Sequence, residues 1–212
     1  TFGTAPGTAV TGKPQTVITT NLERRANMEK VGIDYLVEYP FNDQVASMTP
    51  EDFVRKVLVE QMNAKAIVAG TDFHFGCRRS GDVEFLRAHA RELGYELVVV
   101  EKAMDGSREI SSTYVREELE KGNMEKVNEL LGYAYFTRGE IVHGRQLGRT
   151  IGVPTANLIP PVCKKLPPNG VYITRSRIGE KMYQGITNVG YKPTVAEHFL
   201  GVETYLFDCD ED

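Results

Sequence analysis

The densest chemistry in this chain lies between residues 144 and 157. Gly144-Arg-Gln-Leu-Gly-Arg-Thr-Ile-Gly152 is a basic loop punctuated by Gly148 and Gly152, without the spacing of a Walker loop. Its glycines let backbone N–H groups approach phosphate oxygens, while Arg145 and Arg149 bring positive charge. Pro154-Thr-Ala-Asn157 follows and offers two neutral oxygens, from Thr155 and Asn157, on one side of an extended segment. Mg2+ accepts ligands of this kind when nucleotide phosphates complete its shell. The plainer alternative is a turn in which Thr155 and Asn157 cap their own backbone. Glu203, in Val-Glu-Thr-Tyr, is an acid inside a strand-like run. It is either solvent-facing or, pointing into a barrel mouth, a general base.

Two earlier segments bear on the same chemistry. Ile110-Ser-Ser-Thr-Tyr-Val-Arg116 opens a helix. Ser111, Ser112 and Thr113 gather hydroxyls and free backbone N–H groups at its positive end, with Arg116 about one turn on, a combination suited to an anion. A plain N-cap accounts for such residues too. Gly70-Thr-Asp-Phe-His-Phe-Gly76 follows a short buried strand, and in an open parallel sheet ligands bind beyond the carboxyl ends of the strands. There Asp72 is placed to orient a polar group and Phe73 and Phe75 to stack on a planar ring; alternatively, both rings plug the end of the sheet. His74 reads as structural or exposed, because no nucleophile or second His is adjacent. Asn188-Val-Gly190 reads as a loop.

Positioning these groups falls to two kinds of structure. Over the first 130 or so residues, helix and strand signals alternate. Thr20-Asn-Leu-Glu23 fits a capping box that opens a helix to about Val31, stopped by Gly32. Residues 33–39 read as a strand. Thr49-Pro50-Glu51-Asp52 starts another helix, with Phe53, Val57, Leu58 and Met62 as its apolar stripe. A strand over 65–69, a helix over 82–93 stopped by Gly94, and a strand over 96–100 complete parallel βαβ units. Beyond Gly132, strands are read over 135–142, 171–177, 182–187 and 202–207 with no strong amphipathic helix between them. Six of the ten prolines fall between Pro154 and Pro193, as suits loops and strand edges. The expected fold class is therefore α/β plus all-β, the second half an antiparallel barrel or sandwich, with domains 1–132 and 133–212.

The 212 residues carry 25 Lys+Arg against 29 Asp+Glu, a formal charge of −4, and 41% are hydrophobic. That composition suits one large or two small globular domains and excludes disorder or collagen-like repetition. The acidic balance argues against a nucleic-acid partner but leaves room for a small basic phosphate pocket. No apolar run nears the roughly 20 residues that span a bilayer, and no charged-then-apolar leader pattern is read. Cys77, Cys163 and Cys209 are odd in number and widely spaced, as expected of reduced thiols in a cytoplasmic protein. The chain begins at Thr1 and stops after a strand-like run, so both ends are expected to be cut.

Taken in order, Gly70-x-Asp-Phe-x-Phe-Gly76, Ile110-Ser-Ser-Thr-x-x-Arg116, Val142-His-Gly-x-x-x-Gly-Arg-Thr-x-Gly-x-Pro-Thr-Ala-Asn157, Gly170-Val-Tyr172, Asn188-Val-Gly190 and Val202-Glu203 resemble a known family. It is the prokaryotic bifunctional riboflavin kinase/FAD synthetase family, and the similarity runs over essentially the whole chain. The resemblance implies a Rossmann-like nucleotidyltransferase domain followed by a small antiparallel flavokinase β-barrel. It implies that the barrel phosphorylates riboflavin to FMN, and that the first domain adenylylates FMN to FAD with release of pyrophosphate. Glu203 and Asn157 would be catalytic, Glu203 taking the hydroxyl proton, and Thr155 and Asn157 would bind Mg2+ and nucleotide phosphates. Gly144, Arg145, Gly148, Arg149, Gly152 and Pro154 would line the kinase nucleotide. Ser111, Ser112, Thr113 and Arg116 would hold the ATP phosphates of the first domain, with Asp72 and Phe73 against the flavin nucleotide. Implied partners are riboflavin, FMN, FAD and ATP, without nucleic acid or membrane, for a monomer or weak homo-oligomer.

The family's first strand and His-x-Gly-His loop are expected upstream of Thr1, and a last barrel strand and closing helix after Asp212. Two rival readings use the same residues. One is a monofunctional riboflavin kinase with a degenerate first domain; the other is a flavin-sensing regulator without turnover.

Overall fold

The computed structural model describes residues 1–3, 12, 16–142, 153–192 and 199–209. It divides into two compact units, Thr1–Gln15 with Ile33–Ile110, and Thr16–Gly32 with Ser111–Asp212. Helix α1 (Asn21–Lys30) opens with the predicted reciprocal cap. Thr20 N donates to Glu23 Oε2 at 2.8 Å, and Glu23 N donates to Thr20 Oγ1 at 3.3 Å.

The first unit begins with two short helices, α2 (Asp43–Ala46) and α3 (Pro50–Asp52), the latter capped by Thr49. From Phe53 to Gln61 the winding is π-helical, with i→i+5 bonds. That looser winding turns less per residue, so the predicted stripe shifts: Val54 and Val57 are buried, whereas Met62 faces solvent. Strand β1 (Ala66–Gly70), helix α4 (Val83–Leu93) and strand β2 (Glu96–Val100) form the expected parallel unit, registered from Ala66↔Glu96 to Gly70↔Val100. Val54, Ala69, Phe75, Leu86 and Tyr95 pack as its core, and Tyr95 donates its hydroxyl to Leu86 O at 2.6 Å. The other face of the pair is open, with Val68 66% exposed, so β1 is half-covered rather than buried.

Residues 33–38 are not a strand. A strand needs a ladder, and among the described residues this stretch has only the isolated Phe2↔Tyr39 bridge at its end, with Tyr35 89% exposed. After β2 comes a small hairpin, β3 (Met104–Asp105) with β4 (Arg108–Glu109).

In the second unit, α5 (Ser112–Lys121) and α6 (Met124–Leu131) end at Gly122 and Gly132, whose φ values of +76° and +71° are left-handed. Five strands follow: β5 (Glu140–Val142), β6 (Thr155–Ile159), β7 (Gly170–Ile178), β8 (Lys181–Lys192) and β9 (Phe199–Leu206). They form one antiparallel sheet in the order β5-β6-β9-β8-β7. The strand predicted over 135–142 shrinks to its last three residues because Tyr135 is held elsewhere. Its N–H donates to Asn128 Oδ1 at 2.6 Å and its hydroxyl donates to Lys165 O.

A buried ion pair joins α1 to the segment after β6. Lys164 Nζ donates to Glu23 Oε2 at 2.8 Å and to Ile18 O at 2.7 Å, and the two charged side chains are 2% and 0% exposed. The Tyr135 ring lies 4.2 Å from the ammonium, and Glu23 Oε1 accepts from Arg138 N at 3.3 Å. Burial pushes the Lys164 ammonium below the usual lysine range, against the opposing pull of Glu23.

Candidate active site

Strands β6 and β9 place Thr155 opposite Tyr205 and Asn157 opposite Glu203. Because side chains alternate along a strand, Thr155, Asn157 and Glu203 share one face of the sheet. Thr155 Oγ1 donates to Glu203 Oε1 at 2.5 Å, and Asn157 Nδ2 donates to Thr155 O at 3.5 Å. Asn157 is 8% exposed. The Thr155 hydroxyl thus bonds across the strands rather than capping its own backbone.

Asn188 is not in a loop. It lies inside β8, directly opposite Glu203 on the side away from Asn157, so Asn157, Glu203 and Asn188 form a row across three strands. The period-two pattern of 182–187, carried one residue further, would have found it.

The opposite face of this sheet lines a cavity of about 600 Å3 with Tyr135, Leu158, Val189 and Val202. A ladder of hydroxyls crosses it, Thr174 to Thr187 at 2.7 Å and Thr187 to Thr204 at 2.8 Å. Buried hydroxyls that satisfy one another avoid the cost of stranded polar groups.

At the start of α5, Ser111 Oγ accepts from Tyr114 N at 3.2 Å, so this residue is the N-cap. Ser112 and Thr113 stand exposed on the first turn. Arg116 donates to Thr16 O at 2.8 Å and Thr16 Oγ1 at 3.5 Å, leaving three of the about five guanidinium donors that an arginine carries.

In the first unit, the loop after β1 divides the two readings of its phenylalanines. Phe75 is buried in the core, and Phe73, 39% exposed, stacks on it with ring centroids 5.4 Å apart. One ring is the plug and the other is presented. His74 is exposed, its Nδ1 2.8 Å from Asp72 O. Asp72 meets Lys102 Nζ at 2.9 Å, and the same ammonium contacts Glu109 Oε2 at 2.6 Å. The hydrogen bond from Lys102 holds the Asp72 carboxyl below its ordinary value. NMR titration is expected to find Asp72 ionising below its ordinary value of 3.8, and Lys102→Ala to raise its midpoint. Any stability from this pair is present above that pH and fades as pH falls through the lowered midpoint; an unshifted Asp72 would discard the contact.

Comparison with known proteins decides what these clusters belong to. Residues 1–114 match the FAD synthetase family, and residues 131–212 match the Riboflavin kinase family. The chain belongs to the bifunctional riboflavin kinase/FMN adenylyltransferase family. The bifunctional riboflavin kinase/FMN adenylyltransferase of Escherichia coli K12 is 34% identical over 95% of this chain and 64% of its own length. That of Bacillus subtilis is 33% identical over 94% and 64%, and that of Listeria monocytogenes 33% over 98% and 67%. The chain thus spans about two thirds of the curated relatives it matches. A crystal structure titled as a macrolide-efflux protein from Streptococcus pneumoniae aligns with a TM-score of 0.87 at 32% identity, covering 100% of this chain and 69% of that one. Among the described residues, no helix is long and apolar enough to cross a membrane.

Within the chain, the FAD synthetase match includes α1, which belongs to the second compact unit. Gly144, Arg145, Gly148, Arg149 and Gly152 lie outside the described residues. Pro154 is described and exposed immediately before β6.

Proposed function

We propose that this chain is the greater part of an enzyme that phosphorylates riboflavin to FMN and adenylylates FMN to FAD. The observation that supports the kinase step best is the Thr155–Glu203 contact with Asn157 opposite Glu203. In that step the ribityl 5′-hydroxyl oxygen bonds to the γ-phosphorus of ATP as the bond to the β,γ-bridging oxygen breaks. ADP leaves, and Glu203 takes the hydroxyl proton. Asn157, buried in the row, orients phosphate oxygens, and Gly144, Arg145, Gly148, Arg149, Gly152 and Pro154 bind the kinase nucleotide.

The residues fit Mg2+. Thr155 directs its proton at Glu203, which leaves the lone pairs of its hydroxyl for a cation, and all three side chains carry hard oxygen donors. Thr155 and Asn157 would hold the ion together with the nucleotide phosphates. Bound there, Mg2+ supplies charge neutralisation on the transferring phosphates.

For FAD formation, a phosphate oxygen of FMN bonds to the α-phosphorus of ATP and pyrophosphate leaves. Ser111, Ser112, Thr113 and Arg116 serve the ATP phosphates, and Asp72 and Phe73 the flavin nucleotide. In this reading residues 1–132 are a Rossmann-like nucleotidyltransferase and residues 133–212 most of a flavokinase barrel. The protein works in the cytoplasm as a monomer or weak oligomer.

Chromatography of flavins tests it. The intact protein with Mg·ATP is expected to make FMN from riboflavin and FAD from added FMN. Asn157→Ala is expected to abolish nearly all FMN formation while leaving FAD formation from added FMN. FMN without FAD would leave only a kinase; no conversion by folded, flavin-binding protein would favour a sensor.

A further inference from the structure

We propose that Arg78 and Arg79 clamp the phosphate of the flavin mononucleotide in the adenylyltransferase half, an inference that rests on the adenylyltransferase reading above. Both residues have left-handed backbone, with φ of +54° and +59°, a conformation that glycine adopts freely and L side chains resist. A strained pair persists only where the surroundings hold it, and here they do. The loop is closed at its neck by two hydrogen bonds, Phe75 N to Gly81 O at 3.0 Å and Gly81 N to Phe75 O at 2.9 Å. Cys77 N donates to Met48 O at 2.8 Å, tying the far side down.

Packing fixes the loop further. A Cβ on Gly76 would lie 2.8 Å from Pro50 Cγ, and one on Gly81 would lie 2.8 Å from both Phe75 Cζ and Pro50 Cβ. The loop therefore sits against the start of α3 with no room to shift. What this rigid loop presents is two adjacent, exposed guanidinium groups with no ion-pair or hydrogen-bond partner among the described residues. By contrast, Lys102 nearby in the same unit is already held between Asp72 and Glu109.

The ligand follows from what surrounds the pair. Phe73 offers an exposed ring stacked on buried Phe75, within the strand-end loop that leads into the arginines. A ligand with a planar ring, a flexible polyol chain and a terminal phosphate engages both parts, ring on Phe73 and dianion on the fork-like donors of Arg78 and Arg79. Presenting the donors on a rigid loop lowers the ordering cost of binding.

The test uses the intact protein and follows FAD formation with FMN and ATP varied separately. Replacing both arginines with glycine (Arg78→Gly with Arg79→Gly) suits the left-handed backbone, so the fold is retained, as checked by thermal melting. Loss of two charge-assisted bonds is expected to raise KM for FMN by about tenfold to a hundredfold with KM for ATP unchanged. The double lysine variant, keeping charge without the planar fork, is expected to fall between. An unchanged KM for FMN overturns the inference. So does a rise in KM for ATP, alone or in step, which would assign the arginines to the nucleotide or to general support of the loop. Wild-type protein that makes no FAD at all defeats the adenylyltransferase reading itself, and this inference with it.

Discussion

On the proposed function, riboflavin phosphorylation is expected to fall about a hundredfold or more in Glu203→Gln, the lower end of what a positioned general base contributes. Glutamine keeps the size of the side chain and still offers an oxygen to the Thr155 hydroxyl, so the cross-strand contact survives. Its amide, however, has no useful affinity for a proton. The loss therefore lies in kcat, with KM for riboflavin and ATP little changed. Single-turnover measurement of FMN formation separates the chemical step from product release. If kcat were unchanged, Glu203 would be a strut for Thr155 rather than a proton acceptor. In that case Thr155→Val would leave Glu203→Gln without further effect.

Lys164→Met destabilises the second unit by about 3–5 kcal/mol, because it leaves the Glu23 carboxylate buried without its cation. For a chain of this size that is a fall in melting temperature of roughly 10 °C. Glu23→Gln is milder, since glutamine at this position can still complete the capping box of α1. The double variant, Glu23→Gln with Lys164→Met, removes both charges and is expected to recover most of the loss. A double-mutant cycle on melting curves reads the coupling directly. Additive effects would mean that the pair is not coupled, and that Lys164 acts through its contacts with Ile18 O and the Tyr135 ring alone.

Much of the first unit was legible because its signals are local. Gly94 ends α4, as the glycine stop foretells, and the β-branched run of 96–100 forms β2. One reading failed and another held only in part, for reasons beyond the reach of local pattern. Residues 33–39 have a strand's composition but only one bridge to pair with among the described residues, and pairing is what makes a strand. Of the stripe after Pro50, Val57 is buried and Phe53 and Leu58 pack on the core, while the π-helix also turns Val54 inward and leaves Met62 outward.

The sequence marked Thr155, Asn157 and Glu203 as candidates by type and order, and the segments around them showed the family. It also determined the caps and glycine stops, since these depend on residues three or four positions apart. Only the tertiary structure decided which residues meet. Register across β6, β9 and β8 brought Asn188 beside Glu203, a neighbour that sequence distance hides. Glu23 and Lys164, 141 residues apart, pair because each offsets the cost of burying the other's charge. Arg78 and Arg79 belong to no motif read from the sequence. The closed neck at Phe75 and Gly81, and the lack of space against Pro50, hold them together on a rigid turn, because excluded volume is a property of the packed chain.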